Sequence, residues 1–417
     1  MMEFVHAITK TQKMLGTCLE SDLLRVHAQD FTRERILTAP TITAIILHRV
    51  YHSLQLTLDA FFAKTNPFGC ASKQALSQGR QKVSDEFLRS FADMTSEIGA
   101  KAPSNCCYKG MLLIAIDGST AALENYPDLL DLFGGSGPKQ DAATAQISIA
   151  FNPGSGIMYD YQIDRYGTDE RLLAQKHIVR LKRLGLKRCL LLFDRGYPSA
   201  ELIAFLYECG FDFVMRVRKQ FNTEIDEIER LGGVFLKHNR KRYSVRVLKI
   251  PLPNGEVETL LTSLSQKKLP MREAAEVYFE RWKVETEYET LKVKLELENF
   301  SGKKGITVLQ DFYATMYLGN LLAFTANESD AVILERDAGK DLKYKRKTNL
   351  CRAIANIRDV FLYLLTLSDV DELLKEVEKL IQKIARYPIQ IVPGRSYPRK
   401  IPRKKRFYQT RRSVVSV

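Results

Sequence analysis

Two aspartates stand at the ends of apolar runs and have the chemistry of metal ligands. Asp117 closes the run MLLIAID and Asp194 closes RCLLLFD, and a glycine follows each of them closely. Such runs predict buried strands, and strand ends in open sheets are where sites are commonly built. An Asp near a Gly is also common in turns, so either residue alone would suggest a turn or cap. The two together favour a site.

A third group of polar side chains shares one stripe of a predicted helix. Residues 274–300 contain no Gly or Pro and are rich in Glu, Lys, Leu and Val, which predicts one long helix. At about 100° per residue, a reactive stripe lies beside an apolar one. The residues of the reactive stripe are Tyr278, Arg281, Glu285 and Lys292. Helical geometry does not select Glu285, since Glu289 and Glu296 face almost the same direction. An ordinary amphipathic surface helix is the alternative.

These side chains suit phosphoryl transfer. Carboxylates from Asp117, Asp194 and one Glu of the helix would repel one another without a cation. Hard oxygen ligands without His or Cys suit Mg²⁺ or Mn²⁺, and two such ions about 3.5–4 Å apart clamp a phosphate for in-line displacement. Arg281 and Lys292 would meet phosphate oxygens, and Tyr278 would donate a hydrogen bond to one.

The composition indicates a large basic protein. The 417 residues are 45% hydrophobic, with a net charge of +14 and a pI of about 9.3. That size allows more than one domain, and such a charge usually meets a polyanion. No apolar run approaches the ~20 residues of a membrane span, and the N-terminus lacks a signal peptide's apolar run. The cysteines form no CxxC pair and the histidines no ligand spacing, so we expect reduced thiols, no zinc site and a cytoplasmic location.

The chain changes character several times along its length. Residues 111–217 follow the order three strands, helix, strand, helix, strand. The strands KRYSVRVLKI and EVETLLTSL then flank a Pro-Asn-Gly hairpin signal. The predicted regions are a helical N-terminal DNA-binding region (1–105), the first part of a catalytic core (106–218), a β-rich insertion (219–266), the rest of the core with the Glu helix (267–325), a C-terminal helical region (326–387) and a basic flexible tail (388–417).

The two ends of the chain carry the strongest signals for DNA. Near the N-terminus, Pro40 would open a helix that runs to about Ala63, and a second, basic helix begins at Ser72. This pair fits a DNA-binding domain, with a plain helical bundle as the alternative. The tail has nine Lys or Arg and no Asp or Glu, which suits phosphates and not a core. Its densest run is Arg403, Lys404, Lys405 and Arg406.

The spacing of Tyr278, Arg281, Glu285 and Lys292 resembles the Y-R-E-K signature of the insertion-sequence family-four DDE transposases. IDGST and FDRGY are similar to that family's first and second Asp motifs, and further similarities include SKQALSQGR (72–80) and QDFYA (310–314). The resemblance implies an α/β fold with a ribonuclease-H-like core, a mixed sheet with flanking helices, and a β-rich insertion.

The same resemblance implies a function and an assignment of roles. The expected activity is cut-and-paste transposition on terminal inverted repeats, with two Mg²⁺ ions or Mn²⁺ as a substitute. Metal ligation and catalysis fall on Asp117, Asp194 and Glu285. DNA contacts fall on Tyr278, Arg281 and Lys292. The expected partners are double-stranded element ends and target DNA, with a homodimer in the DNA complex and no membrane.

One departure from the family concerns base stacking. Some members use a tryptophan of the insertion to stack a flipped base, but the single Trp here is Trp282, inside the signature. Tyr243 lies among cations and is our candidate for stacking. A packing role in the hairpin is the alternative, in which case Phe221 or Phe235 would be next.

Two other functions stay open at this point. One is a metal-dependent nuclease on the same fold, without strand transfer. The other is a DNA-binding protein whose catalytic core no longer works, against which the intact set of carboxylates argues.

Overall fold

The computed structural model describes residues 1–33, 35–49, 54–65, 69–102, 107–252 and 255–392. They form two compact units. The helical unit comprises residues 1–98, 123–129 and 291 onwards, and the sheet unit comprises residues 99–122 and 130–290. Within the described ranges, none of the helices combines the length and apolarity that crossing a membrane requires.

Helices dominate both ends of the described chain, and most of the strands lie between them. The helices are α1 (Met2–Gly16), α2 (Ala39–His48), α3 (Leu54–Thr65), α4 (Lys73–Arg80), α5 (Asp85–Lys101), α6 (Pro127–Phe133), α7 (Glu170–Arg183), α8 (Ala200–Cys209), α9 (Thr223–Glu227), α10 (Met271–Phe279), α11 (Lys283–Glu289), α12 (Gly305–Asp337), α13 (Leu350–Leu364) and α14 (Val370–Ala385). The strands are β1 (Cys107–Tyr108), β2 (Met111–Ala122), β3 (Gly135–Ser136), β4 (Ala142–Phe151), β5 (Met158–Arg165), β6 (Cys189–Phe193), β7 (Asp212–Val217), β8 (Leu231–His238), β9 (Lys241–Pro251), β10 (Val257–Thr262), β11 (Arg346–Lys347) and β12 (Ile389–Gln390).

The sheet unit is built on one large mixed sheet. Its strand order is β3-β4-β2-β6-β7-β10-β9-β8, with β1 added on β2 and β5 on β4. The neighbours β2, β6 and β7 are parallel, and the other pairs are antiparallel. Strand β6 is buried along its whole length, as expected for a parallel strand covered on both faces. The predicted α/β class is therefore confirmed as a large mixed sheet with flanking helices.

Helix α7 covers part of this sheet, and its sequence explains where it begins, where it ends and which face it buries. The Asp169 side chain caps its first turn by accepting from Arg171 N–H, and basic residues fill its last turn, where they complement the helix dipole. Its buried residues recur three or four positions apart, which gives one apolar face. That face packs on β2, β4 and β5. It also carries His177, which is fully buried.

The helical unit is organised around α12. This helix is buried on all sides through most of its first two-thirds, which is typical of a core helix. It packs against α1, α2, α13 and α14. Two motifs of the sequence meet here, since the Arg80 guanidinium donates to Gln310 Oε1 at 2.9 Å and to Asp311 Oδ1 at 3.0 Å. Arg80, the last residue of SKQALSQGR, is thus a buried structural group.

Two predicted helices are shorter than expected. The helix predicted from Pro40 to about Ala63 is not continuous, because α2 ends at His48 and Arg49 adopts a left-handed φ of 44°. The helix predicted for 274–300 is also wrong as a single element. It consists of α10, a 3₁₀ turn (Glu280–Trp282), α11 and a π-helical segment (Thr290–Lys294). It stops there, and Glu296 with a φ of 50° cannot continue a right-handed helix.

Candidate active site

The two aspartates lie side by side on neighbouring parallel strands. Ile116 of β2 pairs with Phe193, the last residue of β6, and Asp117 and Asp194 are the residues that follow them in the chain. The prediction that Asp117 ends its strand is wrong, because β2 continues to Ala122 in register with β4. The pairing with β6 does end there, and it leaves both carboxylates at the same edge.

Two signature residues contact these aspartates. One guanidinium nitrogen of Arg281 lies 3.4 Å from Asp117 Oδ2, and the Tyr278 hydroxyl lies 3.4 Å from Asp194 Oδ1. Both side chains are buried, although their types would suggest surface positions. The Arg281 guanidinium also lies 4.8 Å from the Trp282 ring and 5.8 Å from the Tyr278 ring. It is therefore held by aromatic faces and an acid together.

The backbone of Asp117 is held as well. Its carbonyl oxygen accepts hydrogen bonds from the Tyr288 hydroxyl at 2.7 Å and from Ser148 Oγ at 3.0 Å. Its own carboxylate accepts from Gly118 N–H at 2.9 Å. Tyr288 comes from α11 and Ser148 from β4, so two different elements position the first aspartate.

Sequence reasoning missed a third acidic residue at this edge, Glu170. A Cβ atom on Gly118 would lie 2.7 Å from Glu170 Oε1, and one on Gly196 would lie 3.3 Å from Glu170 Oε2. The Glu170 carboxylate thus lies beside the glycine that follows each aspartate motif. The signal that could have revealed it is the shared glycine of IDGST and FDRGY, since glycine is used where another group approaches the backbone closely.

The electrostatics of the cluster disfavour full ionisation. Burial raises the pKa of the Asp117 carboxyl to about 7; Arg281 acts in the opposite direction, and the charges of Asp194 and Glu170 add to the rise. Burial likewise raises the pKa of Glu170, and Asp194 adds to that effect. One guanidinium is too little positive charge for this group of carboxylates.

The two remaining signature residues, Glu285 and Lys292, belong to different units of the structure. Glu285 is solvent-exposed on α11, in the sheet unit. Lys292 falls in the π-helical segment and in the helical unit, where its ammonium lies 3.8 Å from the Glu298 carboxylate. Their predicted roles stay predictions. The structure does not favour either alternative to Glu285 as the third carboxylate, since Glu289 is also exposed and Glu296 lies beyond the helix.

Tyr243, for which stacking on a base and packing in the hairpin were the two predicted roles, is packed. It is buried in the hairpin, its ring packs against Tyr207 at 5.6 Å, and its hydroxyl donates to Glu208 at 3.2 Å. Its side chain points to the packed face of β9, so the packing alternative fits and a stacking role does not. Phe235 on β8 is 55% exposed, and the Arg242 guanidinium lies 5.1 Å from its ring. The tail cations Arg403, Lys404, Lys405 and Arg406 lie outside the described residues.

The residues of the cluster fit a hard divalent cation. Asp117 and Asp194 offer carboxylate oxygens at one edge, and the raised pKa of Asp117 shows that burial and neighbouring negative charge oppose its ionisation. Among the residues the structure describes, no group of three or more His, Cys, Asp or Glu side chains is arranged to hold a metal ion. Joint ligation by Asp117, Asp194 and Glu285 therefore stays a prediction.

Comparison with known proteins identifies the class. The family described as Transposase DDE domain matches residues 108–319, just over half of the chain and all of the strands around the cluster. The chain belongs to this family of DDE transposases. It is thus a DNA transposase, an enzyme of the metal-dependent polynucleotidyl transferase and nuclease class, and the family works with divalent metal ions and DNA.

Two known proteins are similar to this chain. The chain is 23% identical over 344 residues to the transposase InsG for insertion sequence element IS4 of Escherichia coli strain K12, which covers 75% of this chain and 74% of that protein. This supports membership of the IS4 family, as the Y-R-E-K spacing predicted. A solved structure of the piggyBac transposase synaptic complex with hairpin DNA is 13% identical, with a TM-score of 0.45, and covers 94% of this chain and 84% of that one.

Proposed function

We propose that this transposase binds the terminal inverted repeats of its own element, cleaves the DNA there and joins the freed 3′-hydroxyl to target DNA. The observation that supports this most directly is the pair Asp117 and Asp194, which are neighbours on parallel strands and contact Arg281 and Tyr278. Paired carboxylates beside a cation and a phenol suit a phosphate that is attacked and displaced in line.

The metal-holding residues in this proposal are Asp117, Asp194 and Glu285, with Mg²⁺ as the ion and Mn²⁺ as its substitute. Two ions bound there supply activation of the attacking oxygen and stabilisation of the leaving one. The protein's own part is to hold Asp117 and Asp194 at one edge. Arg281 offsets part of the Asp117 charge, and we assign its guanidinium a contact with a phosphate oxygen of DNA at the same edge.

Several further groups would contact DNA. We assign phosphate contacts to Tyr278, Arg281 and Lys292 of the signature and to the basic tail, Arg403–Arg406. We move the proposed stacking role from Tyr243 to Phe235, because Phe235 is exposed beside the Arg242 guanidinium. An exposed aromatic ring next to a cation is the combination that holds an unstacked base and its phosphate.

The proposed architecture follows the regions derived from the sequence. We assign residues 106–218 and 267–325 to a ribonuclease-H-like core, 219–266 to its insertion, 1–105 to DNA binding and 326–387 to a C-terminal helical region. The order of β4, β2, β6 and β7, with an antiparallel strand beside parallel ones, supports that core. We expect a homodimer on the DNA, because the two ends of an element must be brought together.

The test is end cleavage by the purified protein on a duplex that carries the element's own terminal repeat and flanking DNA. We expect Mg²⁺-dependent cutting at the repeat, followed by transfer of the new 3′-end to a target plasmid. Asp117→Asn, Asp194→Asn and Glu285→Gln should still bind the repeat in a gel-shift assay and should not cut. If Glu285→Gln cuts normally, Glu285 is not the third metal ligand and another acidic residue must take that role.

The same assay separates the alternatives. Cutting without any joining of the 3′-end would indicate a nuclease. Repeat binding without cutting in either Mg²⁺ or Mn²⁺ would indicate a DNA-binding protein that has lost its chemistry. We favour the transposase because the aspartate pair is assembled and because Arg281 and Tyr278 already contact it.

A further inference from the structure

A buried chain of hydrogen-bonded polar groups connects helix α7 to Asp117. His177 on α7 has its Nδ1 atom 2.7 Å from Asp160 Oδ2 of β5 and its Nε2 atom 2.9 Å from Ser148 Oγ of β4. Ser148 Oγ in turn lies 3.0 Å from the Asp117 carbonyl oxygen. His177, Asp160 and Ser148 are all completely buried. Burying several polar groups in this way costs free energy unless each is satisfied.

The geometry around Ser148 favours one direction for its two hydrogen bonds to His177 and Asp117. The Asp117 carbonyl can only accept, so the single hydroxyl proton of Ser148 must point to it. Ser148 Oγ has no second proton, so His177 Nε2 must be the donor in the bond between them. Asp160 Oδ2 also accepts from Gln162 Nε2 at 2.7 Å, and His177 Nδ1 lies 2.7 Å from the same oxygen.

This direction rules out a hydrolase function for the same residues. A serine, a histidine and an aspartate in hydrogen-bond contact resemble a nucleophile with its base. A base, however, must accept the hydroxyl proton, whereas His177 Nε2 donates to Ser148. Ser148 is also completely buried and out of reach of a substrate. The group therefore acts through Asp117 and not by itself.

We propose that His177 is a positioning residue for Asp117, which rests on the proposed role of Asp117 in holding metal. By donating to Ser148, His177 fixes the hydroxyl so that its proton points at the Asp117 carbonyl. The carboxylate of Asp117 is on the same residue, at the point where pairing between β2 and β6 ends. The chain Asp160–His177–Ser148 thus holds this residue at the sheet edge from a helix and two strands.

The first test is the proton on His177, read in the intact wild-type protein by nitrogen-15 histidine NMR. The His177 signals are assigned by their loss in His177→Gln/Asp160→Asn, a double change that avoids an unpaired buried charge. We expect a proton on Nε2. A bare Nε2 would overturn the proposal, because Ser148 would then donate to His177 and could not hold Asp117. This outcome does not depend on whether the protein transposes DNA.

The second test compares Ser148→Ala with a matched control, Thr262→Val. Thr262 Oγ1 donates to the Phe213 carbonyl at 2.7 Å, so the control breaks an equally buried bond from a side chain to a strand of the same sheet. The measurement is Mn²⁺ affinity without DNA, by electron paramagnetic resonance of the free ion. We expect a loss of about tenfold for Ser148→Ala, as is usual when a supporting partner of a ligand is removed. We expect almost no loss for Thr262→Val at a similar fall in melting temperature.

Equal Mn²⁺ affinities in the two variants would overturn the positioning role. Ser148→Thr keeps the hydroxyl and should recover most of the affinity if it folds. The proposed function has a separate control, since Asp117→Asn should itself weaken Mn²⁺ binding. If Asp117→Asn binds Mn²⁺ like the wild type, the metal assignment fails, whereas a loss there with no loss in Ser148→Ala defeats only the positioning role.

Discussion

Asp311 in the helical unit is almost fully buried and Asp117 in the sheet unit is half-buried, and the two carboxylates have very different partners. Asp311 Oδ1 lies 3.0 Å from the Arg80 guanidinium and 3.9 Å from that of Arg49. Its other oxygen accepts from the backbone and hydroxyl of Ser301. Asp117 has one guanidinium, Arg281, at 3.4 Å, and its other charged neighbours are acids.

The pKa values of the two groups move in opposite directions for this reason. Burial opposes the ionisation of both. At Asp311 the guanidinium groups of Arg80 and Arg49 outweigh burial, and the pKa falls below its usual value. At Asp117 burial dominates, one guanidinium does not compensate, and the pKa rises to about 7. A carboxylate whose charge is fully balanced by the fold holds the structure together, whereas an underbalanced one is ready for a cation from outside.

The largest expected difference between the two sites is in activity. Asp117→Asn should lower Mg²⁺-dependent end cleavage by about a thousandfold or more, because loss of a metal ligand removes several kcal/mol of transition-state stabilisation. Asp311→Asn should leave the rate per folded molecule close to that of the wild type. The assay is single-turnover cleavage with the folded fraction measured in parallel. Comparable losses in both variants would remove the distinction.

Stability should show the reverse ranking. Asp311→Asn leaves Arg80 and Arg49 buried without their carboxylate, and breaking a buried ion pair from one side typically costs about 3–5 kcal/mol. Asp117→Asn, measured in EDTA, should unfold no more easily than the wild type. Urea unfolding followed by circular dichroism gives both values. An Asp311→Asn protein as stable as the wild type would show that the network contributes specificity and not stability.

Stability should depend on pH in opposite ways at the two sites. The pKa of Asp117 is raised on folding, so its contribution is fully present below about pH 4 and is lost as pH rises through about 7 in EDTA. The pKa of Asp311 is lowered on folding, so its contribution is present above about pH 4 and is lost as pH falls through the folded value. The free energy of unfolding is measured across pH for the wild type and for each Asn variant. The difference between the wild type and a variant, plotted against pH, gives the contribution of that aspartate. Adding Mg²⁺ should abolish the pH dependence of the Asp117 contribution. If that pH dependence survives, metal does not bind at Asp117.

The smallest effect should come from Glu170. Glu170→Gln removes one negative charge beside Asp117 and Asp194, so the metal-free protein should gain less than about 1 kcal/mol of stability. Asp117 should then ionise at lower pH, because a neighbouring charge that raises its pKa has gone. Thermal melting in EDTA at neutral pH measures the first effect. Destabilisation by this variant would mean that Glu170 serves the fold.

Local patterns accounted for much of the chain. Apolar runs that end in an acid located the strands around Asp117 and Asp194, because a buried strand needs continuous apolar side chains and its end reaches the sheet edge. The spacing of four residues matched the Y-R-E-K signature by resemblance, whereas helical periodicity alone did not select Glu285. The hairpin signal before β10 was also correct for the described strands on either side.

What faces a given side chain was decided only by the tertiary structure. Glu170 and His177 lie on a helix whose sequence shows no sign of a site, and they reach Gly118 and Ser148 only because α7 packs across β2 and β4. Arg281 has the pattern of a surface cation, yet it is buried against Asp117.

The same limit explains the corrections. Periodicity gives the face of an element on which a residue lies, but the neighbouring element decides whether that face is packed. Tyr243 was an open choice between packing and stacking until its ring was seen against Tyr207. The predicted helix from 274 to 300 has uniform propensity, yet it is interrupted at Glu280–Trp282 and Thr290–Lys294 and followed by the left-handed Glu296, which propensity does not encode. Local sequence thus gave the candidate residues for the chemistry, while long-range packing decided which of them meet.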